Sequence, residues 1–265
     1  NSFATALGLE FKRIQFTPDL LPGDITGGYV FDTRQNSFIL RKGPIFTNIL
    51  LADEINRASP KTQSALLEAM QEQQVTLEGD TQALPQPFIV VATQNPIEYE
   101  GTFPLPEAQL DRFMVKLRIG YPLPEEEQEI LARRLDRRGD TVLLTPVITP
   151  EIFYAMRQAV EDVHVDPGVL RYIVDLVTRL RKHRQVVIGA SPRGSLALVK
   201  LTRAWAAIHG RNYVLPDDVK YFAEDTLGHR LILEPSLWGS RSAERTVITE
   251  ALRFVEVPVT PDENE

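Results

Sequence analysis

Two adjacent acids, Asp53 and Glu54, directly follow an uncharged apolar run at residues 49–52. Such a run predicts a strand of a parallel sheet that is buried on both faces. Ligands bind at the carboxyl ends of such strands, and an acid there is costly to desolvate unless a positive charge compensates it. Mg²⁺ bound to a nucleotide supplies that charge. The alternative is that both acids only cap the loop that follows.

Three further polar residues are candidates for the same chemistry. Asn95 follows a second apolar run, and an amide there holds a water or a phosphate oxygen without adding charge. Arg112 follows a predicted short helix within residues 105–113, and it either projects towards a neighbouring subunit or forms a surface ion pair. Arg193 lies in a helix's first turn, where the helix dipole disfavours a cation unless an anion such as phosphate is bound. The alternatives for Asn95 and Arg193 are an ordinary Asn-Pro turn and a solvated side chain.

The elements that position these residues change in type along the chain. Up to about Tyr121, short strands alternate with helices, which predicts a mostly parallel α/β sheet. We predict strands at residues 11–16, 49–52, 88–92 and 115–119. Beyond this region helices dominate, and several begin with a capping residue followed by proline. We therefore expect an α/β core at 1–122, a helical domain at 123–257 and a disordered tail at 258–265.

Two hairpins are predicted inside the α/β region. Residues 29–40 form two strand-like runs around a polar turn, and residues 74–84 form another pair that turns near Gly79. The alternative to a functional insertion is surface decoration.

Composition excludes several classes of function. The chain has no cysteine and only four scattered histidines, so it contains neither a thiolate site nor a histidine-based metal cluster. It lacks a run of about 18 uncharged apolar residues, so we expect no membrane span. Residues 1–122 hold 10 basic and 14 acidic residues, and residues 123–265 hold 19 and 22. Since neither region is basic, nucleic-acid binding is not favoured.

Taken together and in this order, the four signals resemble the active-site arrangement of AAA+ ATPases. Longer blocks of sequence strongly resemble the MoxR family of these enzymes, over about residues 1–257. The blocks are residues 16–27, 41–45, 51–58, 61–70, 92–96, 105–113 and 189–194. The resemblance implies an AAA+ αβα core of the P-loop type, followed by an all-helical lid.

The resemblance also implies a role for each candidate residue. Asp53 would orient the Mg²⁺ of bound ATP, and Glu54 would activate the attacking water. Asn95 would be the sensor-1 residue that places this water. Arg112 would be an arginine finger acting on the next subunit's nucleotide. Arg193 would be the sensor-2 residue, reaching from the lid to its own subunit's nucleotide, so we expect Asp53 and Arg193 to face a common cleft.

At the level of the whole protein, the resemblance implies a cytoplasmic ATPase, expected to be a hexameric ring, that remodels a client protein in a chaperone-like manner. A von Willebrand factor A-type protein is an expected partner. The hairpins would face the pore, with Tyr29, Phe31 and Phe38 as substrate contacts. One alternative is a nucleotide-dependent assembly module without efficient hydrolysis. Another is a DNA motor, which the acidic balance disfavours.

One departure from the family pattern concerns phosphate binding. The motif G-x-x-x-x-G-K-[ST] does not occur in these 265 residues. Residues 1–7 are predicted to end a helix at Gly8, and in the family that helix begins at the P-loop. We therefore expect the chain to begin just downstream of the Walker A motif. We also expect residues 1–265 alone to bind ATP poorly, and a titration that gave micromolar affinity would contradict this.

Overall fold

The computed structural model describes residues 1–95, 101–139, 144–238, 240 and 242–258. The helices are α1 (Ser2–Ala6), α2 (Pro22–Thr26), α3 (Pro60–Glu72), α4 (Glu107–Leu110), α5 (Pro124–Arg137), α6 (Pro150–Glu161), α7 (Pro167–Arg181), α8 (Pro192–Ile208), α9 (Pro216–Leu227) and α10 (Ala243–Phe254). The strands are β1 (Phe11–Gln15), β2 (Gly27–Asp32), β3 (Ser37–Lys42), β4 (Ile49–Asp53), β5 (Gln74–Leu77), β6 (Asp80–Ala83), β7 (Ile89–Ala92), β8 (Val186–Ile188) and β9 (Ile232–Leu233).

A parallel sheet carries the two acids. Strand β4 lies between β1 and β7, and all three run in the same direction, as their uniform register shows. Leu50 and Ala52 on β4 are fully buried. Helix α3 covers the sheet with Leu66 and Leu67, and Ser59 caps its first turn by accepting a hydrogen bond from the amide of Thr62.

Each of the two hairpins forms a separate antiparallel sheet. Strands β2 and β3 pair from Gly27–Lys42 at the base to Asp32–Ser37 near the tip, and β5 pairs with β6. The Tyr29 hydroxyl donates a hydrogen bond of 2.8 Å to Asp80, so the two hairpins contact each other. This contact places Tyr29 between the hairpins, whereas Phe31 and Phe38 stay exposed and meet edge to face.

Helices α7 to α10 bury a second core of their own. Its largest fully buried side chains are Tyr172, Ile173, Leu176, Leu180 and Leu198. The α/β sheet and the helical domain confirm the predicted fold class. The boundary predicted at residues 122 and 123 stays a prediction, because the segment before α6 also contacts α1 through the amide of Val147. Within the described part of the chain, no helix is long and apolar enough to cross a membrane.

The strand predicted at residues 115–119 was wrong. These residues lie in irregular structure, and the side chains of Leu117 and Ile119 are largely exposed. Alternating apolar residues form a strand only beside a partner, and here the Lys116 amide donates to the carbonyl of Asp225 on α9 instead. Of the predicted disordered tail, residues 259–265 lie outside the described residues.

The base of the first hairpin depends on a close backbone approach at Gly43. A Cβ atom on Gly43 would lie 2.3 Å from the carbonyl oxygen of Ile25 and 2.4 Å from the nitrogen of Gly27. We expect Gly43→Ala to lower the free energy of unfolding by about 1–3 kcal/mol, because backbone atoms must move to admit the methyl group. Urea unfolding measures this.

Gly28→Ala is the matched control, because a Cβ on Gly28 meets nothing within 4 Å. Equal stability of the two variants would contradict the close approach.

Candidate functional site

The carboxyl ends of the three parallel strands bring together polar side chains that lie far apart in sequence. Gln15 pairs with Asp53 in the register of β1 and β4, and Ala52 pairs with Ala92 in that of β4 and β7. Thr93, the first residue after β7, therefore lies beside Asp53. Its hydroxyl donates a short hydrogen bond to Oδ1 of Asp53 and accepts one of 2.9 Å from the Glu54 amide.

The second oxygen of Asp53 is bound by a cation from β1. Nη2 of Arg13 lies 2.5 Å from Oδ2 of Asp53, and Nε lies 3.1 Å from the same atom. The hydrogen bonds from Thr93 and from Arg13 lower the pKa of Asp53 below its ordinary value. Asp53 is therefore a permanent carboxylate at neutral pH, which is the oxygen ligand that Mg²⁺ prefers.

Glu54 is held in an unusual backbone conformation. Its φ of 54° and ψ of 48° lie in the left-handed region, which costs about 1–2 kcal/mol for a residue with a Cβ. Buried Gln63 stabilises the turn that follows, because its Nε2 donates to the carbonyls of Ile55 and Ala58 and also to that of Phe103. Strain that is maintained by surrounding contacts is typical of functional sites.

The carboxylate of Glu54 has two partners in this conformation. Oε2 accepts a hydrogen bond of 2.9 Å from Gln15 and one of 3.1 Å from Arg57. Gln15 also receives a hydrogen bond from Arg13, so β1 contributes donors to both acids. Asn95 lies three residues beyond the end of β7, at the same edge of the sheet, and is partly buried. Pro96, which completes its sequence block, lies outside the described residues.

Arg112 and Arg193 lie together at a different place. Both line a cavity of about 260 Å³ between the α/β core and the helical domain, and Lys200 on α8 lines it too. The three cations are exposed, and none pairs with an acid among the described residues. Nη2 of Arg193 lies 3.4 Å from Oε1 of Gln71, near the last turn of α3.

Helix α3 separates this cavity from the acids. It begins at Pro60, shortly after Glu54, and at 1.5 Å per residue Gln71 lies about 17 Å further along its axis. Asp53 is not among the residues that line this cavity, so the expected common cleft of Asp53 and Arg193 stays a prediction. Arg193 lies at the same cavity as Arg112, the predicted finger, and its role on its own subunit's nucleotide stays a prediction.

The residues that fit a magnesium-bound phosphate are those at the strand ends. Asp53 offers a charged oxygen, and Thr93 adds a hydroxyl beside it. Mg²⁺ takes one or two carboxylates and completes its shell with phosphate oxygens and water, so one acid is sufficient. On binding, the cation would replace Arg13 at Oδ2 of Asp53.

Sequence reasoning missed the partners of both acids. Arg13 and Gln15 alternate with apolar neighbours in β1, which places them on one face of the strand. The sequence shows the charge of Arg13 and the amide of Gln15, but it does not show the strand register that brings them to Asp53. Gln63 resembles any polar residue of an amphipathic helix. Lys200 follows Arg193 by seven residues, and this spacing places both on one face of a helix.

The chain matches known proteins over nearly its whole length. Residues 1–115 match the family model described as ATPase family associated with various cellular activities (AAA), and residues 178–251 match the AAA lid domain. The chain is 50% identical to the uncharacterised protein YeaC of Bacillus subtilis, over 97% of this chain and 80% of YeaC. It is 42% identical to chaperone MoxR1 of Mycobacterium tuberculosis, over 97% of this chain and 70% of MoxR1.

A solved structure agrees with these relatives. The crystal structure of a Cytophaga hutchinsonii protein assigned as an ATPase superposes with a TM-score of 0.90 at 39% identity, over 98% of this chain and 81% of that one.

The low pKa of Asp53 yields a direct prediction. Thr93→Val removes the hydroxyl donor, so we expect the pKa of Asp53 to rise towards its ordinary value, as an NMR titration of the carboxyl carbon would show. Because the folded-state pKa is depressed, the stabilisation is present at neutral pH and is lost as the pH falls through that pKa. Thr93→Val should therefore be less stable than the natural protein at neutral pH and lose less stability on acidification.

Thr93→Ser is the control, since serine keeps the hydroxyl. An unchanged Asp53 pKa in Thr93→Val would show that Arg13 alone sets it.

Proposed function

The chain belongs to the MoxR family of AAA+ ATPases, and from that premise we propose that its strand-end acids hydrolyse ATP in a ring that remodels a client protein. One observation carries the hydrolytic part of the proposal. Asp53 is fixed as a carboxylate at the end of a buried parallel strand, and a second acid, Glu54, follows it in a strained turn.

Each strand-end residue has a distinct task in the proposed reaction. Asp53 would hold the Mg²⁺ that accompanies ATP, and this ion neutralises charge on the phosphates during transfer. Glu54 would take a proton from the attacking water, and Asn95 would orient that water. Gln15 and Arg57 both donate to Oε2 of Glu54 and so orient the carboxylate, and its other oxygen, Oε1, would accept the proton.

The two arginines would serve the neighbouring subunit. Arg112 and Arg193 are exposed and line the same cavity, and neither Asp53 nor Glu54 is among the residues that line it. A phosphate group of an adjacent subunit would find three cations there, Lys200 included. Hydrolysis would then require contact between subunits, because each active site takes its acids from one chain and its arginines from the next. An oligomer, expected to be a hexameric ring, follows from this division.

The hairpins are the proposed contact with the client. Phe31 and Phe38 are 51% and 68% exposed, and they stack edge to face near the tip of the first hairpin. Exposed aromatic pairs of this kind bind apolar segments of other proteins. We place the ring in the cytoplasm, with a von Willebrand factor A-type protein as an associated partner, because the family resemblance implies both.

Replacing Glu54 by Gln tests hydrolysis. We expect Glu54→Gln in the full-length protein to lower the rate of phosphate release by about 10²–10⁴-fold, because the amide accepts no proton. Glu68→Gln is the matched control, since Glu68 is an exposed acid on α3. Equal rates for Glu54→Gln and the natural protein would favour the nucleotide-dependent assembly module. Salt-dependent retention on DNA would favour the DNA motor.

Mixed oligomers test the division of labour. Arg112→Ala and Arg193→Ala subunits keep their acids, and Glu54→Gln subunits keep their arginines. If the arginines act on the neighbour, mixing either arginine variant with Glu54→Gln restores hydrolysis above the sum of the separate rates. If hydrolysis is restored with Arg112→Ala but not with Arg193→Ala, Arg193 acts on its own subunit's nucleotide.

A further inference from the structure

We propose that the ion pair between Asp111 and Arg230 is a positioning device that holds Arg112 and Arg193 as one rigid unit across the boundary between core and lid. The proposal rests on the proposed function, since it concerns how the two arginines are presented to a neighbour's phosphates. Neither residue of the pair touches the nucleotide in this proposal.

Arg230 binds the short segment that carries Arg112. Its Nε donates a hydrogen bond of 2.9 Å to Oδ1 of Asp111, and Nη2 donates one of 2.6 Å to the carbonyl of Phe113. Nη1 adds a bond of 3.2 Å to the carbonyl of Met114. One guanidinium from the lid therefore fixes the backbone on both sides of Arg112.

Asp111 also reaches the helix that carries Arg193. Its Oδ2 accepts a hydrogen bond of 2.9 Å from the hydroxyl of Ser191. The same hydroxyl oxygen accepts the amide of Arg193 at 3.2 Å, which makes Ser191 the N-cap of α8. Asp111 is thus next to Arg112 in the sequence, and its carboxylate is hydrogen-bonded to the cap of the helix that carries Arg193.

The close packing of α8 on Arg230 supports this arrangement. Gly194 is buried directly after Arg193, and a Cβ there would lie 3.3 Å from Cδ of Arg230 and 3.0 Å from a methyl group of Leu227. The glycine lets the first turn of α8 approach the guanidinium. Burial lowers the pKa of the neighbouring His229 to about 4, so the ring is neutral where its Nε2 meets the Phe113 carbonyl.

The position of the pair makes it more than a stabilising contact. The side chain of Arg230 is only 2% exposed, and removing one partner of a buried pair leaves the other charge uncompensated. The segment that carries Arg112 would then separate from Ser191, the cap of the helix that carries Arg193, while both arginines remain in the chain. A misplacement of about 1 Å in a group that acts on the transition state costs about 100-fold in rate.

The test compares Asp111→Asn with Asp218→Asn. Asp218 forms a bidentate pair with Arg211 within the lid, at 2.8 Å for both bonds, so its loss also breaks a buried ion pair. In the full-length protein we expect Asp111→Asn to lower kcat by about 100-fold with little change in KM for ATP. Asp218→Asn should lower stability and leave kcat near that of the natural protein.

Subunit mixing separates positioning from general damage. Asp111→Asn subunits keep Glu54, so Glu54→Gln neighbours with correctly placed arginines should restore their hydrolysis. Failure of this rescue, or a normal kcat for Asp111→Asn, would overturn the proposal. If Glu54→Gln itself had no effect, the proposed function would fail instead, so the two outcomes are distinct.

Hydrogen exchange gives a readout that needs no hydrolysis. The Lys116 amide donates to the Asp225 carbonyl, so its exchange reports whether the segment that carries Arg112 stays bound to the lid. We expect faster exchange there in Asp111→Asn and unchanged exchange in Asp218→Asn. Should Asp111→Asn fail to fold, Ser191→Ala removes the link from Asp111 to α8 together with the N-cap of that helix, and Ser191→Thr should rescue both. Natural exchange and kcat in Ser191→Ala would also overturn the proposal.

Discussion

A carboxylate that is taken out of water needs hydrogen-bond donors or a cation beside it, because its charge is otherwise too costly to bury. Asp53 and Asp111 meet that constraint with arginines from other elements. Asp53 takes Arg13 from β1, and Asp111 takes Arg230 from the lid. The first pair keeps an acid ionised at the strand ends, and the second joins the two domains. Both pairs thereby determine where charged groups stand before any nucleotide binds.

The two pairs differ in how easily they break. Arg13 is more than half exposed, so a metal ion that competes for Asp53 displaces a solvated side chain at modest cost. Arg230 is buried and donates to several backbone carbonyls as well, so its release would expose unpaired groups on both sides. The pair of Asp53 and Arg13 is therefore the easier one for a ligand to break, and the pair of Asp111 and Arg230 is the harder one.

Local patterns predicted the elements well and their pairing poorly. The apolar run at 49–52 predicted β4, and capping residues followed by proline predicted helix starts in the helical region, because burial and capping depend on neighbouring residues. Residues 115–119 alternate like a strand, yet they pair with none of the described strands. A strand needs a neighbour from elsewhere in the chain, and the alternation alone does not reveal whether one is present.

The site shows the same limit in its side chains. Asp53 and Glu54 could be recognised in the sequence because two acids directly follow an apolar run. Arg13 and Arg230 could not, because only the fold places them opposite acids. The role of Arg193 stays a prediction, because helix-start chemistry identifies a cation but not the subunit whose nucleotide it faces. Arg193 lies beside Gln71, near the last turn of α3, and lines a cavity together with Arg112. Arg112, Arg193 and Lys200 line one cavity and pair with no acid among the described residues, and the proposed sharing of one site between two subunits depends on this observation.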